Sequence, residues 1–373
     1  MRPAGKKTIS LCPICYKEIP AWVYQDGGRM WMRKSCPRHG ASAGLVEKDA
    51  RFHRWFTNLF RKAPRSFVSL TLPITLRPPS RGAPGRSDLP YGPDMPLGKL
   101  VQVARNFGGK FIELSGGEPT ERQDLPQIIA AIKKLGKTVI LQTDGAKLAD
   151  ARYLRTLKKA GLDQTILFFD SLKSAFYEKL MAGRKIHGRE LLERKRRALD
   201  NLQREGISTI LCSTVLAGLN DREFNALFLF ALRHGPCVVQ LRLRSRPCAG
   251  TGAGGSKGGY WLSELFERFS KQAHISARDL REKYLEGRLG RSVLFHFQGA
   301  IRKGRFVPQT DASATLKLQV KLVGWPTVEN IDLMDLKTPM AYFSPRSRQL
   351  HRIFHGVLLD EMLREGRPGN KRR

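Results

Sequence analysis

Between Phe67 and Leu243 the chain alternates between short β-rich runs and stretches with helical apolar spacing, a pattern that admits few folds. The runs are FVSLTL from Phe67, KFIEL from Lys110, TVILQ from Thr138, TILFF from Thr165, STILCSTV from Ser208 and CVVQLRL from Cys237. Between them, Leu100, Val103, Ala104 and Phe107 recur at helical spacing, as do Leu125, Ile128, Ile129, Ile132 and Leu135. Several helices are predicted to end at glycines, Gly108, Gly136, Gly161, Gly206 and Gly235, where a left-handed cap is expected. Six strands joined by helices imply a parallel sheet with right-handed crossovers, either open or curled into a partial barrel. Chemistry in such a sheet belongs to the loops at the strands' C-terminal ends.

Those loops are polar and glycine-rich. Ser115-Gly116-Gly117-Glu118-Pro119-Thr120 follows the second strand, and Thr143-Asp144-Gly145 the third. Asp170-Ser171 follows the fourth, and Gly218-Leu219-Asn220-Asp221 the fifth. Each alone reads as an ordinary turn, since turns use these residue types anyway. Their convergence on one face points to a ligand site.

Ahead of the alternating region stands LCPICYKEIPAWVYQDGGRMWMRKSCPRHG, with CxxC at Cys12 and Cys15 and CxxH at Cys36 and His39. AWVYQ and RMWMRK read as two strands joined by a turn at Asp26-Gly27-Gly28. Three thiolates and an imidazole suit tetrahedral zinc, or a mononuclear iron of the rubredoxin kind. Four unligated residues are the alternative, but a segment this small needs a staple. With four protein ligands the site is closed, so its expected role is structural.

The chain has 373 residues, 41% of them apolar, enough for a large core. Lys and Arg number 66 against 33 acids, a formal charge of +33. Such an excess attracts anionic surfaces, nucleic acid or lipid, although a basic solvated surface explains it too. No apolar run is long enough to span a bilayer, and Met1 to Cys12 lacks the apolar core of a secretory signal. The expected location is the cytoplasm, with peripheral contact at a membrane left open. Cys212, Cys237 and Cys248 are scattered, and for the first two buried thiols are the expectation.

Taken together, these residues resemble the radical S-adenosylmethionine (radical SAM) superfamily, most closely the subgroup related to tetraether lipid synthase. SGGEPTERQDLP resembles that subgroup's SAM-binding turn, and LQTDG its third-strand TNG with Asp144 in place of Asn. LFFDSL, STVLAGLND and SRPCAGT follow in the same order, and VENIDLMDLKTPMAYF is similar more faintly. The resemblance implies an α/β fold: a partial (β/α)6 radical-SAM-type barrel with an N-terminal metal knuckle and a C-terminal α+β extension. It also implies that main-chain carbonyls of Ser115, Gly116 and Gly117 receive SAM's ammonium and that Pro119 stiffens the way into the next helix. Thr143, Asp144 and Asn220 would surround ribose and carboxylate, and Glu118 would hold the turn through local hydrogen bonds.

In that family the first strand leads into CxxxCxxC, which holds a [4Fe–4S] cluster. Here the segment is PITLRPPSR, Pro73 to Arg81, and Ile74, Pro78 and Arg81 fall on the three cysteine positions. None of them can ligate the cluster's iron. The cluster is therefore expected to be absent and ordinary radical initiation lost, with Arg81 setting a cation in its place. Cys248 alone among the later cysteines stands just after a strand, too little for a relocated cluster.

The expected domains are a knuckle over 1–45, a linker over 46–66, the barrel over 67–251 and a basic extension over 252–373. Helices are predicted near Leu262 to Lys271 and near Leu350 to Leu363, with the open side of the barrel to pack against. His187 reads as a solvated loop histidine, and the Arg/Lys run after it as an exposed helix face. Arg77, Arg81 and Arg86 lie in a Pro- and Gly-rich connection and are candidates to grip a phosphate. The functional expectation is a pseudoenzyme or non-radical derivative that binds SAM or a related nucleoside. Two alternatives stand beside it: an active radical SAM enzyme on a lipid or other anionic substrate, and a basic module docking on nucleic acid, membrane or a protein partner.

Overall fold

The structure is a computed structural model, and it describes residues 5–12, 18–59, 69–75, 94–180, 187–245, 260–289, 292–309 and 316–324. Four strands form an antiparallel sheet in sequence order: β1 (Gly5–Leu11), β2 (Glu18–Asp26), β3 (Arg29–Cys36) and β4 (Gly40–Glu47). Asp26 pairs with Arg29, and Gly27 (φ 52°) and Gly28 (φ 75°) are both left-handed. This two-residue turn matches the right-handed twist of the strands it joins, which is why the double glycine is there.

The segment expected as a linker is in part helical. Asp49 caps α1 (Ala50–Asn58) by accepting from the amides of Arg51 and Phe52, at 2.7 and 3.0 Å. Phe52 and Phe56, spaced i and i+4, are buried in the main core, and the Phe52 ring lies 5.4 Å from that of Phe266. That spacing, behind an Asp cap, is the sequence signal for this helix.

All six predicted strands are present: β5 (Ser69–Thr75), β6 (Phe111–Gly116), β7 (Thr138–Thr143), β8 (Gln164–Phe168), β9 (Ser208–Val215) and β10 (Val238–Ser245). They lie parallel and in sequence order. The helices between them are α2 (Leu97–Asn106), α3 (Leu125–Lys133), α4 (Ala151–Ala160), α5 (Ser174–Leu180), α6 (Gly188–Arg204) and α7 (Phe224–Arg233). Of the glycines expected as left-handed caps, Gly136, Gly161 and Gly206 have positive φ, whereas Gly108 and Gly235 do not. The α2 helix instead hands over at Phe107 in extended conformation.

The C-terminal α+β part comprises α8 (Leu262–Ala273), α9 (Ala277–Glu282), β11 (Leu285–Leu289), β12 (Ser292–Arg302), β13 (Arg305–Pro308) and β14 (Leu316–Val323). It continues the barrel sheet, because β14 pairs parallel with β10 from Gln240/Gln319 to Arg244/Val323. The sheet order is β11-β12-β14-β10-β9-β8-β7-β6-β5, with β13 on β12. The helix expected near Leu350 lies outside the described residues.

Strand side chains alternate between two environments. Leu70, Leu72, Ile112, Leu114, Val139, Leu141, Leu211, Leu241, Leu243 and Val320 join the helices in the main core. On the opposite, inner face, Ile140, Ile166, Ile210 and Cys212 form a separate small apolar cluster.

Candidate functional site

The turn after β6 is built around Glu118. Its Oε1 accepts from the Thr120 amide (3.1 Å), the Thr120 hydroxyl (2.6 Å) and the Thr143 hydroxyl (2.7 Å), while Oε2 accepts from the Asp144 amide (2.9 Å). Glu118 thus ties the turn after β6 to the end of β7, the turn-holding role expected of it. Burial pushes its carboxyl up, and the neighbouring Asp144 charge pushes it further.

Gly116 has φ 123°, and a Cβ there would stand 2.0 Å from the Thr75 carbonyl oxygen. The requirement for glycine therefore comes from the adjacent strand, not only from ligand approach. The Gly117 amide donates to that same carbonyl at 2.8 Å, so the turn is locked onto the end of β5. Ser115 and Pro119 are both buried.

The remaining site candidates differ in what they leave available. Thr143 is committed, donating to Glu118 and accepting from the Gly145 amide at 3.0 Å. Asn220 is also committed: Oδ1 accepts from the Leu216 amide, and Nδ2 donates to the carbonyls of Asp170 (2.7 Å) and Thr214 (2.9 Å). Asp144 is different. Its Oδ1 accepts from the Ala146 amide at 2.8 Å, but its buried Oδ2 has no partner. An orphaned buried carboxylate oxygen at a strand end is costly unless a ligand or water meets it.

Three residues that hold this site were not singled out from the sequence. Lys195, in the run read as an exposed helix face, is buried and donates to the Asp144 and Phe168 carbonyls, each at 2.7 Å. It lies on the stripe of Leu191, Leu192, Ala198 and Leu199, and that spacing was the signal in the sequence. Glu223 accepts the Ser171 hydroxyl at 2.9 Å and the Leu172 amide at 3.0 Å. Buried Arg122 donates to the carbonyls of Ile74 (2.7 Å) and Met95 (2.8 Å) and pairs with Asp124. His187 is exposed, as expected.

In the antiparallel sheet, Cys12 and Cys36 each place Sγ 3.5 Å from His39 Nδ1. The ligand atoms of all three lie within 4.8 Å of one another. A tetrahedral zinc with Zn–S near 2.3 Å and Zn–N near 2.0 Å requires S···N of about 3.6 Å, so the geometry fits. Cys15, the fourth expected ligand, lies outside the described residues.

The donor set for a [4Fe–4S] cluster does not fit. Ile74 points into the main core, while Pro78 and Arg81 lie outside the described residues. The mismatch does not depend on how the motif is laid over the chain, because no cysteine occurs between Cys36 and Cys212. Among the described residues the barrel's inner face offers a single thiol, Cys212, whereas Cys237 is buried against Ile207 and Thr209 before β10.

Residues 5–48 match the HMPTM N-terminal zinc ribbon domain, and residues 80–231 match the radical SAM superfamily. The chain is 29% identical over 261 residues to the 7,8-dihydro-6-hydroxymethylpterin dimethyltransferase of Methanocaldococcus jannaschii, covering 61% of this chain and 50% of that protein. A probable GTP 3',8-cyclase of Methanococcus aeolicus is 33% identical over 134 residues, 34% of this chain and 42% of its own length. Among solved structures, Streptococcus suis SuiB bound to S-adenosylmethionine aligns with a TM-score of 0.42 and 14% identity, over 62% of this chain and 53% of SuiB. The chain spans about half the length of the curated relatives it matches. With an α/β sheet of the observed order and a Cys-Cys-His site in the ribbon, the chain carries a radical SAM superfamily domain behind an HMPTM-type N-terminal zinc ribbon.

Proposed function

We propose that this chain is a non-radical derivative of the radical SAM superfamily, a pseudoenzyme in the superfamily's own reaction, that binds SAM or a related nucleoside. The observation that carries this reading is the absence of any cysteine between Cys36 and Cys212 in a chain whose SAM-type turn is intact. A [4Fe–4S] cluster is held by thiolates, and one thiol on the inner face among the described residues does not replace three. The ribbon, a zinc-bound staple, and the barrel are the working units, with the C-terminal part completing the sheet.

In this reading SAM brings a sulfonium and an ammonium, and the chain's own groups hold it. Main-chain carbonyls of the Ser115-Gly116-Gly117 turn face the ammonium. Asp144, an acid where the resemblance has Asn, offers its unpartnered Oδ2 to the ammonium or a ribose hydroxyl. Glu118, Pro119, Thr143 and Asn220 shape the pocket without spending free donors on the ligand. The tetraether-lipid-synthase-like layout, which joins such a ribbon to such a barrel, remains a resemblance and names no substrate.

The test is metal and sulfide analysis after anaerobic purification with iron and sulfide, followed by calorimetry with SAM and S-adenosylhomocysteine. About one zinc per chain, no sulfide, and heat on nucleoside binding are expected. Acid-labile sulfide with 5′-deoxyadenosine formation would establish an active radical enzyme on a lipid or other anionic substrate instead. No heat with either nucleoside removes the pocket. A second reading, a basic module on nucleic acid, anionic membrane or a protein partner in the cytoplasm, is favoured by the charge of +33, and steeply salt-dependent association would support it.

A further inference from the structure

The inner face of the barrel lines a cavity of about 270 Å³, one side of which is basic. Strand alternation puts Arg242 and Arg244 of β10 on this face, opposite to the core-facing Leu241 and Leu243. Parallel pairing sets Arg242 directly beside Lys321 of β14. Two like charges in register on neighbouring strands repel each other, an arrangement that destabilises a sheet when nothing compensates it.

The protein supplies little compensation. Among the described residues Glu113 is the only carboxylate lining the cavity, and its Oε2 already accepts from the Thr71 hydroxyl (3.1 Å) and the Gln142 amide (2.9 Å). Among the described residues, neither Arg242 nor Lys321 has a carboxylate recorded within ion-pair distance, although the Glu113 charge acts on Lys321 from farther off. Arg242 reaches only the Gln240 side chain, at long distances of 3.3 and 3.4 Å. Burial, and the adjacent Arg242 charge after it, push the Lys321 ammonium down to about 8. Arg244 is held in place by stacking 5.2 Å over Phe168 and by donating to the Thr214 hydroxyl at 3.1 Å. Phe168 and Cys212 line the cavity beside these cations.

Arg242 and Lys321 thus stand against one occupied carboxylate, Glu113, with Arg244, on which the buried Asp170 charge also acts, beside them. We propose that this inner face is a binding site for a phosphate group, held by Arg242, Arg244 and Lys321, with the ligand's remainder directed toward the strand ends. Guanidinium and ammonium donors suit the oxygens of a phosphate group. The volume admits the phosphate and a small part of its bearer. The proposal rests on the inner face alone and not on the reading of the strand-end loops.

The experiment uses the full chain with its zinc, titrated by calorimetry and followed by thermal shift at constant ionic strength. Inorganic phosphate, glycerol 3-phosphate and acetate are the probes. Phosphate-bearing probes are expected to bind near 1:1 and raise Tm, and acetate is expected to do neither. Lys321→Met should weaken phosphate binding tenfold or more while leaving Tm in phosphate-free buffer unchanged or higher, since it removes a buried cation that stands in register beside Arg242. Arg242→Met should weaken binding similarly. Lys271→Gln, a change at an exposed cation, controls for attraction by the basic surface and should leave binding unchanged. Tighter binding of glycerol 3-phosphate than of phosphate would identify a phosphorylated small molecule, and equal binding the phosphate group alone. Equal binding by the parent and Lys321→Met, or equal loss in Lys271→Gln, overturns the proposal. Titration with SAM is a separate readout, so failure there leaves the phosphate result standing.

Discussion

Lys195 Nζ lies 2.7 Å from the carbonyl oxygens of both Asp144 and Phe168, so one buried ammonium on α6 joins the C-terminal ends of β7 and β8. Its charge also opposes the burial that pushes the Asp144 carboxyl up. Lys195→Met keeps the packing on Tyr177 but leaves two carbonyls unmet and withdraws the nearby positive charge. The expected loss is about 2 kcal/mol in the unfolding free energy, at the level of buried charged hydrogen bonds. Urea denaturation of the variant checks this, and an unchanged midpoint would mean that water replaces the ammonium.

Gly116 and Gly136 form an internal comparison, since both have positive φ but only the first is crowded. Gly136→Ala meets nothing within 4 Å and should cost about 1 kcal/mol, the ordinary penalty for a left-handed alanine. Gly116→Ala sets Cβ 2.0 Å from the Thr75 carbonyl and should cost about 3 kcal/mol or more, because β5 and β6 must separate. Equal Tm shifts for the two variants would contradict the tight junction between the turn and β5.

The alternation of strands and helices was legible because the strands are short apolar runs and the helix stripes are regular. Leu70 and Leu72 of β5, and Ile112 and Leu114 of β6, repeat at a spacing of two and all lie on the helix-covered face. The roles inside the site were less legible. Asn220 reads as a ligand-binding amide in the sequence, yet its three hydrogen bonds go to the chain, because the turn after β9 needs an acceptor and two donors there. Lys195 was hidden by its neighbours Arg194, Arg196 and Arg197, whose charge made the whole run read as solvated. The basic inner face could not be read locally either. Arg242 and Lys321 are 79 residues apart and meet only through the pairing of β10 with β14.

Removal of zinc tests the ribbon by itself. The thiols of Cys12 and Cys36 pack with Ile19 as the ribbon's small buried apolar cluster, so metal ligation and packing act at the same place. A strong chelator, or Cys36→Ser, is expected to release amide protection across β1 to β4, since structural zinc sites supply folding energy directly. Amides of β6 to β9 should keep theirs. Hydrogen exchange read by mass spectrometry separates the two regions, and simultaneous loss in both would show that the barrel depends on the ribbon.

Glu47 gives the joint between the ribbon and the C-terminal part a pH dependence of definite sign. It stands at the end of β4 and accepts from the Ser263 hydroxyl and amide at the start of α8, beside the Lys48–Glu264 ion pair of 2.7 Å. Burial pushes its carboxyl up to about 7 from 4.5, against the lowering effect of the Ser263 and main-chain hydrogen bonds. Between these values the folded chain holds a proton that the unfolded chain has released. Stability from this group is therefore greatest below about pH 4.5, falls as pH rises toward 7, and is level above, a total change of about 3 kcal/mol. Glu47→Gln keeps a carbonyl oxygen for the Ser263 hydroxyl and cannot ionise, so its advantage over the parent should grow from pH 5 to pH 8. Urea midpoints of both proteins at the two pH values measure this, and a constant difference would mean that Glu47 is ionised in the folded joint throughout.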